Sequence, residues 1–298
     1  MHFLSTRLLP LTFVLIFPAL PVLAAESIQG ALTANPTGEI SILVTRGEVR
    51  VVGVDGNEVS VTGTRDHQSE EFIFERTGDV VQIEDRLPKR TRSGPGTMIT
   101  VEVPRGSRVR TQLVSADLEV SELAGPARLS TVSGSVRMSG SGDETEISSV
   151  SGSISVEGAG GEIRLETVSG RITAKTSAQR ISARSTSGRV EVHNDTELVR
   201  GRITSVSGSL RLATFAAPDG EIELETVSGS GTIALGGDLD LRLEIFGGPG
   251  GDIRNRLDDT PVVNRGPGTG ERLDARFGNS SGYVRASTVS GTLTIEGF

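Results

Sequence analysis

ETVSGRITA (Glu166–Ala174) and, fifty-nine residues on, ETVSGSGTIAL (Glu225–Leu235) say nearly the same thing twice. Around them stand TVSGSVRM (Thr131–Met138), SVSGSISV (Ser149–Val156) and SVSGSLRL (Ser205–Leu212). With the glycine of each Ser-Gly as position zero, the cleanest copies fall at Gly134, Gly152, Gly170 and Gly188, 18 residues apart. Gly208, Gly229 and Gly291 continue the series, and Ala116 holds the place one period earlier. Apolar residues recur at plus two and plus four, as in Ile154 and Val156 or Leu210 and Leu212. Before the glycine they recur at minus seven, minus five and minus two, as in Ile163, Leu165 and Val168.

Alternation with period two marks a strand with one buried face. Each repeat holds two such strands, and their parity differs across Val-Ser-Gly, so a bulge or corner must absorb one residue at the join. Glycine suits a corner because it tolerates positive φ and close backbone approach. The pattern therefore predicts that each coil bends at Val-Ser-Gly, with Val pointing in and Ser marking the corner. A unit this short cannot bury its apolar face alone, whereas stacked copies can. The fold class expected is all-β: a single-stranded parallel β-solenoid (β-helix) of roughly 18–21 residues per coil, right-handed by the usual crossover preference. The outward row at minus six reads Arg110, Arg128, Glu146, Arg164, Ser182, Arg202, Glu223, a mixed-sign face in which vertical neighbours can pair.

The ends are less regular. Residues 1–24 have a basic start at Arg7, an apolar run from Leu8 to Leu23 and small residues at Ala24 and Ala25, the layout of a cleavable secretory signal peptide. Residues 25–110 read as an N-terminal β-strand region and cap, with two strands around Thr77-Gly78-Asp79 and phenylalanines at Phe72 and Phe74 that help close the first coil. Residues 111–247 carry the regular repeats, and 248–298 an irregular Gly-rich excursion followed by a C-terminal coil. No composition break forces a second domain.

Composition bounds the chemistry. The 298 residues contain no cysteine, which removes disulfides, thiolate ligands, thiol nucleophiles and lipid attachment at an N-terminal cysteine. Net charge is −8, and loss of Arg7 with the signal makes it −8 − 1 = −9, which argues against nucleic acid or anionic lipid as partner. No later stretch is long and apolar enough for a transmembrane segment after signal cleavage.

At ITVEVPRGSRVRTQLVSADLEV (Ile99–Val120) the chain resembles the bacterial "putative adhesin" family of exported Val-Ser-Gly strand-repeat proteins, a domain of unknown function. Val103-Pro104-Arg105-Gly106-Ser107, the repeats from Val114 to Gly229, GEVRVVGVDGNEVSVTGT (Gly47–Thr64) and STVSGTLTIEGF (Ser287–Phe298) carry the likeness. The resemblance implies a repeat fold and brings no catalytic residues and no cofactor.

The remaining isolated features read as structural. His2 falls in the signal; His67 and His193 lack partners at ligand spacing and read as surface residues. Gly247–Asn255 (GGPGGDIRN) begins like a calcium nonapeptide, but it is a single copy with Arg254 where an apolar residue belongs, so it reads as a loop. Glu144 and Glu162, both at minus eight, stack one coil apart at a retaining-glycosidase separation, but Arg180 and Arg200 continue their row and Tyr283 is the one tyrosine available to stack a sugar. The glycine-rich stretch from Gly266 lacks the Gly-Lys-Ser/Thr of a phosphate loop, and the terminal Phe298 comes without the aromatic girdles of a membrane barrel. Catalytic, cofactor and metal sites are expected to be absent. The function expected is a non-enzymatic cell-envelope protein, periplasmic or secreted, adhesin-like or scaffolding, that offers an extended surface to an envelope protein, a glycan or the cell wall. The alternatives are a polysaccharide-active β-helix enzyme using Glu144 and Glu162, or an envelope-stress sensor component.

Overall fold

A computed structural model describes residues 26–140, 142–266 and 268–298; the signal segment lies outside the described residues. The described residues form strands and turns without a helix, joined in one mixed sheet system.

The repeats build two parallel ladders. Along the first, Arg108–Leu123 (β7), Ala127–Thr131 (β8), Glu144–Ser149 (β10), Glu162–Thr167 (β12) and Arg180–Ser185 (β14) pair in order, 18 residues apart from β8 onward. The second ladder joins β7, Val136–Gly140 (β9), Ile154–Glu157 (β11), Ile172–Thr176 (β13) and the start of Val190–Gly236 (β15). Register puts like on like: Leu129 under Ile147 under Leu165, and Val136 under Ile154 under Ile172, all buried. Each such Ile or Leu contributes about 1.5–3 kcal/mol by leaving water, so the core is two columns of aliphatic side chains rather than an aromatic cluster.

The corner between the ladders differs from the expectation. Val does not point in: Val114, Val132, Val150, Val168, Val206, Val227 and Val289 are 46–54% exposed. The inward position is minus three, filled by Thr131, Ser149, Thr167 and Ser185, each buried. Their hydroxyl oxygens accept the N–H of Gly134, Gly152, Gly170 and Gly188 at 2.8–3.1 Å. Alternation thus runs through minus seven, five and three, and Val and Ser then both face outward. This pair of outward residues is the register change that parity required.

Stacking explains the glycine. A Cβ on Gly152, Gly170 or Gly188 would lie 1.8–1.9 Å from the carbonyl oxygen of the glycine one coil below, closer than any real contact. Positive φ adds to the demand only in the later copies, such as Gly229 at +135°.

Both ends depart from stacking in chain order. Glu39–Val54 (β2) lies between β7 on one side and Val80–Arg86 (β5) with Thr97–Pro104 (β6) on the other, parallel to all three. At the far end Gly282–Gly297 (β19) inserts between the last turn of β15 and Leu241–Arg256 (β16), again parallel to both. The glycine-rich stretch Gly247–Arg256 therefore belongs to the outermost parallel strand, with a register shift between Gly247 and Gly250. Antiparallel strands cover both ends, so the sheet is not parallel throughout. Glu71–Thr77 (β4) folds back on β5 through Gly78, and Ser27–Thr33 (β1) joins Glu58–Thr64 (β3), which pairs with β6. Glu271–Arg276 (β18) lines β16 and is met by Val263–Asn264 (β17). Phe72 and Phe74 pack partly buried against the core at the N-terminal end. Covering a terminal edge removes an aggregation template.

Candidate binding surface

The exposed valines fall in vertical register. The ladders place Val114, Val132, Val150 and Val168 in successive layers, with Thr186 next. Val206, Val227 and Val289 follow, because Arg184 is paired with Thr204 and Glu225 with Ser287, while Gly229 stacks on Gly208. The result is one ridge over eight layers, about 34 Å long at roughly 4.8 Å per layer. Beside it runs the serine row, whose hydroxyls turn back on the backbone: Ser133, Ser151, Ser169 and Ser187 donate to the carbonyls of Val114, Val132, Val150 and Val168. The serines therefore spend their donors internally and leave the valine methyl groups as the free feature.

Hollows accompany the ridge. Residues at minus four wall its other flank, and between the two rows lie cavities of about 800, 300 and 500 Å³. The first is closed at the N-terminal end by Leu87, Pro88 and Lys89; the second contains Val150, Val168, Glu166 and Arg184; the third contains Val206, Val227 and Val289. Contiguous exposed apolar surface of this extent marks an interaction site more often than chance exposure.

The opposite flank of the first ladder is charged and internally neutralised. Arg128 meets Glu146 at 2.8 Å, Arg202 meets Glu223 at 2.6 Å, and Arg180 meets Glu162 at 3.2 Å. Glu144 and Glu162 do face each other in register, as their spacing predicts. Glu162 also pairs with Arg164, and the two carboxylates line separate hollows, of about 100 and 560 Å³, with no aromatic side chain in either lining.

The remaining candidates have structural partners. His67 sits 3.2 Å from Asp66, and His193 sits 2.9 Å from Asp195 and near the ring of Phe298. Phe298 packs edge-on against Phe215. The Tyr283 hydroxyl donates to Glu244 at 2.8 Å; burial, then that carboxylate, push its pKa up. In Gly247–Asn255 the carboxylate of Asp252 pairs with Arg254, and among the described residues no three His, Asp or Glu side chains are grouped to hold an ion. No helix among the described residues is long and apolar enough to cross a membrane.

One buried polar cluster has no sequence signal. Asp66, 1% exposed, is bound by Arg46 and accepts the Gln68 N–H at 2.9 Å. The hydrogen bond from Arg46 holds the Asp66 carboxyl below the usual carboxylate range, against the opposing effect of burial. Thr97 links the cluster to Asp85: it accepts the Asp66 N–H at 3.0 Å and donates to the Asp85 carboxylate. Arg46 also donates to the Arg92 carbonyl, so the cluster moors the basic Leu87–Gly96 loop that closes the ridge's N-terminal hollow.

The Toastrack DUF4097 family model matches residues 37–242. No curated protein matches the chain. Among solved structures, a "putative adhesin" from Bacteroides fragilis is similar at 11% identity, over 92% of this chain and 97% of that one, with a TM-score of 0.47. A "putative cell adhesion protein" from Clostridium sporogenes is similar at 9% identity over 92% and 100%, with a TM-score of 0.25. A "putative adhesin" from Parabacteroides distasonis is similar at 10% identity over 92% and 98%, with a TM-score of 0.35.

Proposed function

The chain belongs to the Toastrack DUF4097 family, and from that premise we propose a non-enzymatic, exported β-solenoid that works as an adhesin-like or scaffolding protein of the cell envelope. Residues 1–24 direct export and are cleaved; residues 111–247, extended by the inserted C-terminal strand, form a right-handed coil stack that presents the valine ridge to a partner. The observation that carries this reading is the ridge itself: seven half-exposed valines in one line, flanked by hollows and by serines whose donors are already used. A surface repeated layer by layer suits an elongated ligand better than it suits catalysis on one bond.

The test is binding of the purified protein to isolated envelope fractions and to a glycan panel, with release of reducing sugar followed in the same wells. Saturable binding that falls at least tenfold in Val150→Asp/Val168→Asp, without sugar release, is the expected result. Sugar release that disappears in Glu144→Gln or Glu162→Gln would overturn it and make the chain a glycan-active enzyme.

A further inference from the structure

We propose that the partner seated on the ridge is a second copy of this chain, packed antiparallel about a two-fold axis that crosses the stack between the layers of Val168 and Thr186. The inference rests on the ridge being a binding surface and names its occupant, and the loss of envelope binding expected of Val150→Asp/Val168→Asp then follows from loss of the two-site dimer and its avidity. Three observations point to it. First, the ridge begins at Val114 and ends at Val289, so its eight layers divide equally about that axis. The axis sets Val114 against Val289, Val132 against Val227 and Val150 against Val206 of the other copy, leaving Val168 opposite Thr186 as the one mixed pair. Second, an axis lying across the stack also brings the minus-four rows together. Glu166 and Arg184 stand in that row in adjacent layers. The axis therefore sets Glu166 against Arg184 of the other copy, and Arg184 against its Glu166. Moving the axis half a layer either way puts Glu166 on Glu166 or Arg184 on Arg184, so charge selects this register. Among the described residues neither Glu166 nor Arg184 forms an ion pair within the chain, although each lines the hollow beside the ridge. Third, the length suffices. A contact along all eight layers spans about 34 Å, so every ridge position of one copy meets one of the other. The contact is isologous, as a closed dimer requires.

The experiment is the molar mass of the full purified protein by light scattering and sedimentation over a concentration series, for wild type and for charge and ridge variants. A dimer with a dissociation constant in the micromolar range is expected. Glu166→Arg and Arg184→Glu should each weaken it at least tenfold, and the double exchange should restore it, because each new arginine again faces a glutamate. Val150→Cys/Val206→Cys gives an independent reading: the two sites are three layers, about 14 Å, apart within one copy. That span is too long for an internal disulfide, so oxidation should yield a covalent dimer. A protein that stays monomeric up to about 100 μM, far above a micromolar constant, overturns the proposal. If that monomer still binds envelope fractions through the ridge, the surface reading stands and its occupant is another molecule. A dimer indifferent to both the charge exchange and Val150→Asp overturns the proposal equally.

Discussion

A single glycine shows how stacking dictates residue choice. Gly170 packs over the Gly152 carbonyl with no room for a methyl group, whereas Gly160 has open space around its Cβ position and no positive φ. Gly170→Ala should therefore cost about 3 kcal/mol through forced separation of two coils, and Gly160→Ala should be neutral; thermal unfolding of the pair checks this. Buried hydroxyls divide in the same way. Thr167 accepts the Gly170 N–H, so Thr167→Val strands a buried donor and should cost about 1–3 kcal/mol. Thr145, buried between Ala127 and Ile163, has no hydrogen-bond partner for its oxygen among the described residues. Thr145→Val should leave stability unchanged or raise it by up to about 1 kcal/mol in urea unfolding. The minus-three hydroxyl is also why the valine was misplaced by the sequence pattern. The alternation through minus seven and minus five leads to a Thr or Ser, which looks like a surface residue. The next apolar residue is the valine, so hydrophobicity alone draws it inward. Parity signalled a corner without saying which two residues it turns out.

At the scale of the strand, the parallel ladders and their 18-residue step were legible because inward residues repeat at fixed offsets, and so was the hairpin around Gly78. The order of the end strands was not. Nothing in STVSGTLTIEGF distinguishes a strand added last from one inserted between two earlier ones, since both need the same apolar rows. Insertion gives β19 hydrogen-bonded neighbours on both sides, β15 and β16. A terminal strand usually frays. Here the amides of Val284, Ala286, Leu293 and Ile295 should exchange with deuterium as slowly as that of Ile172. Exchange of these amides at the rate of an open terminus would place β19 at an edge instead.

For the whole molecule, the buried cluster at one end sets the response to acid. The native Asp66 carboxyl is held below its ordinary pKa, so the stability it confers is complete above the unfolded value of about 4 and is lost as pH falls through the lower native one. Asp66→Asn, which leaves Arg46 without its buried partner, should cost about 3 kcal/mol at pH 7. The gap between wild type and variant should close under strong acid, as melting curves across pH will show. Along the length of the molecule, everything proposed about function depends on which way Val-Ser-Gly faces. The chain has no cysteine, so single thiols can be placed at will. The most direct measurement is the maleimide labelling rate of the folded protein with cysteine at Val150, Val168 or Val227, compared with cysteine at Thr167 or Ile172. Under conditions that hold the protein monomeric, the three ridge thiols should react at the rate of a free thiol and the two inward ones should be protected until unfolding. Protected ridge thiols beside a reactive Thr167→Cys would turn the corner inside out and remove the surface on which the function is built.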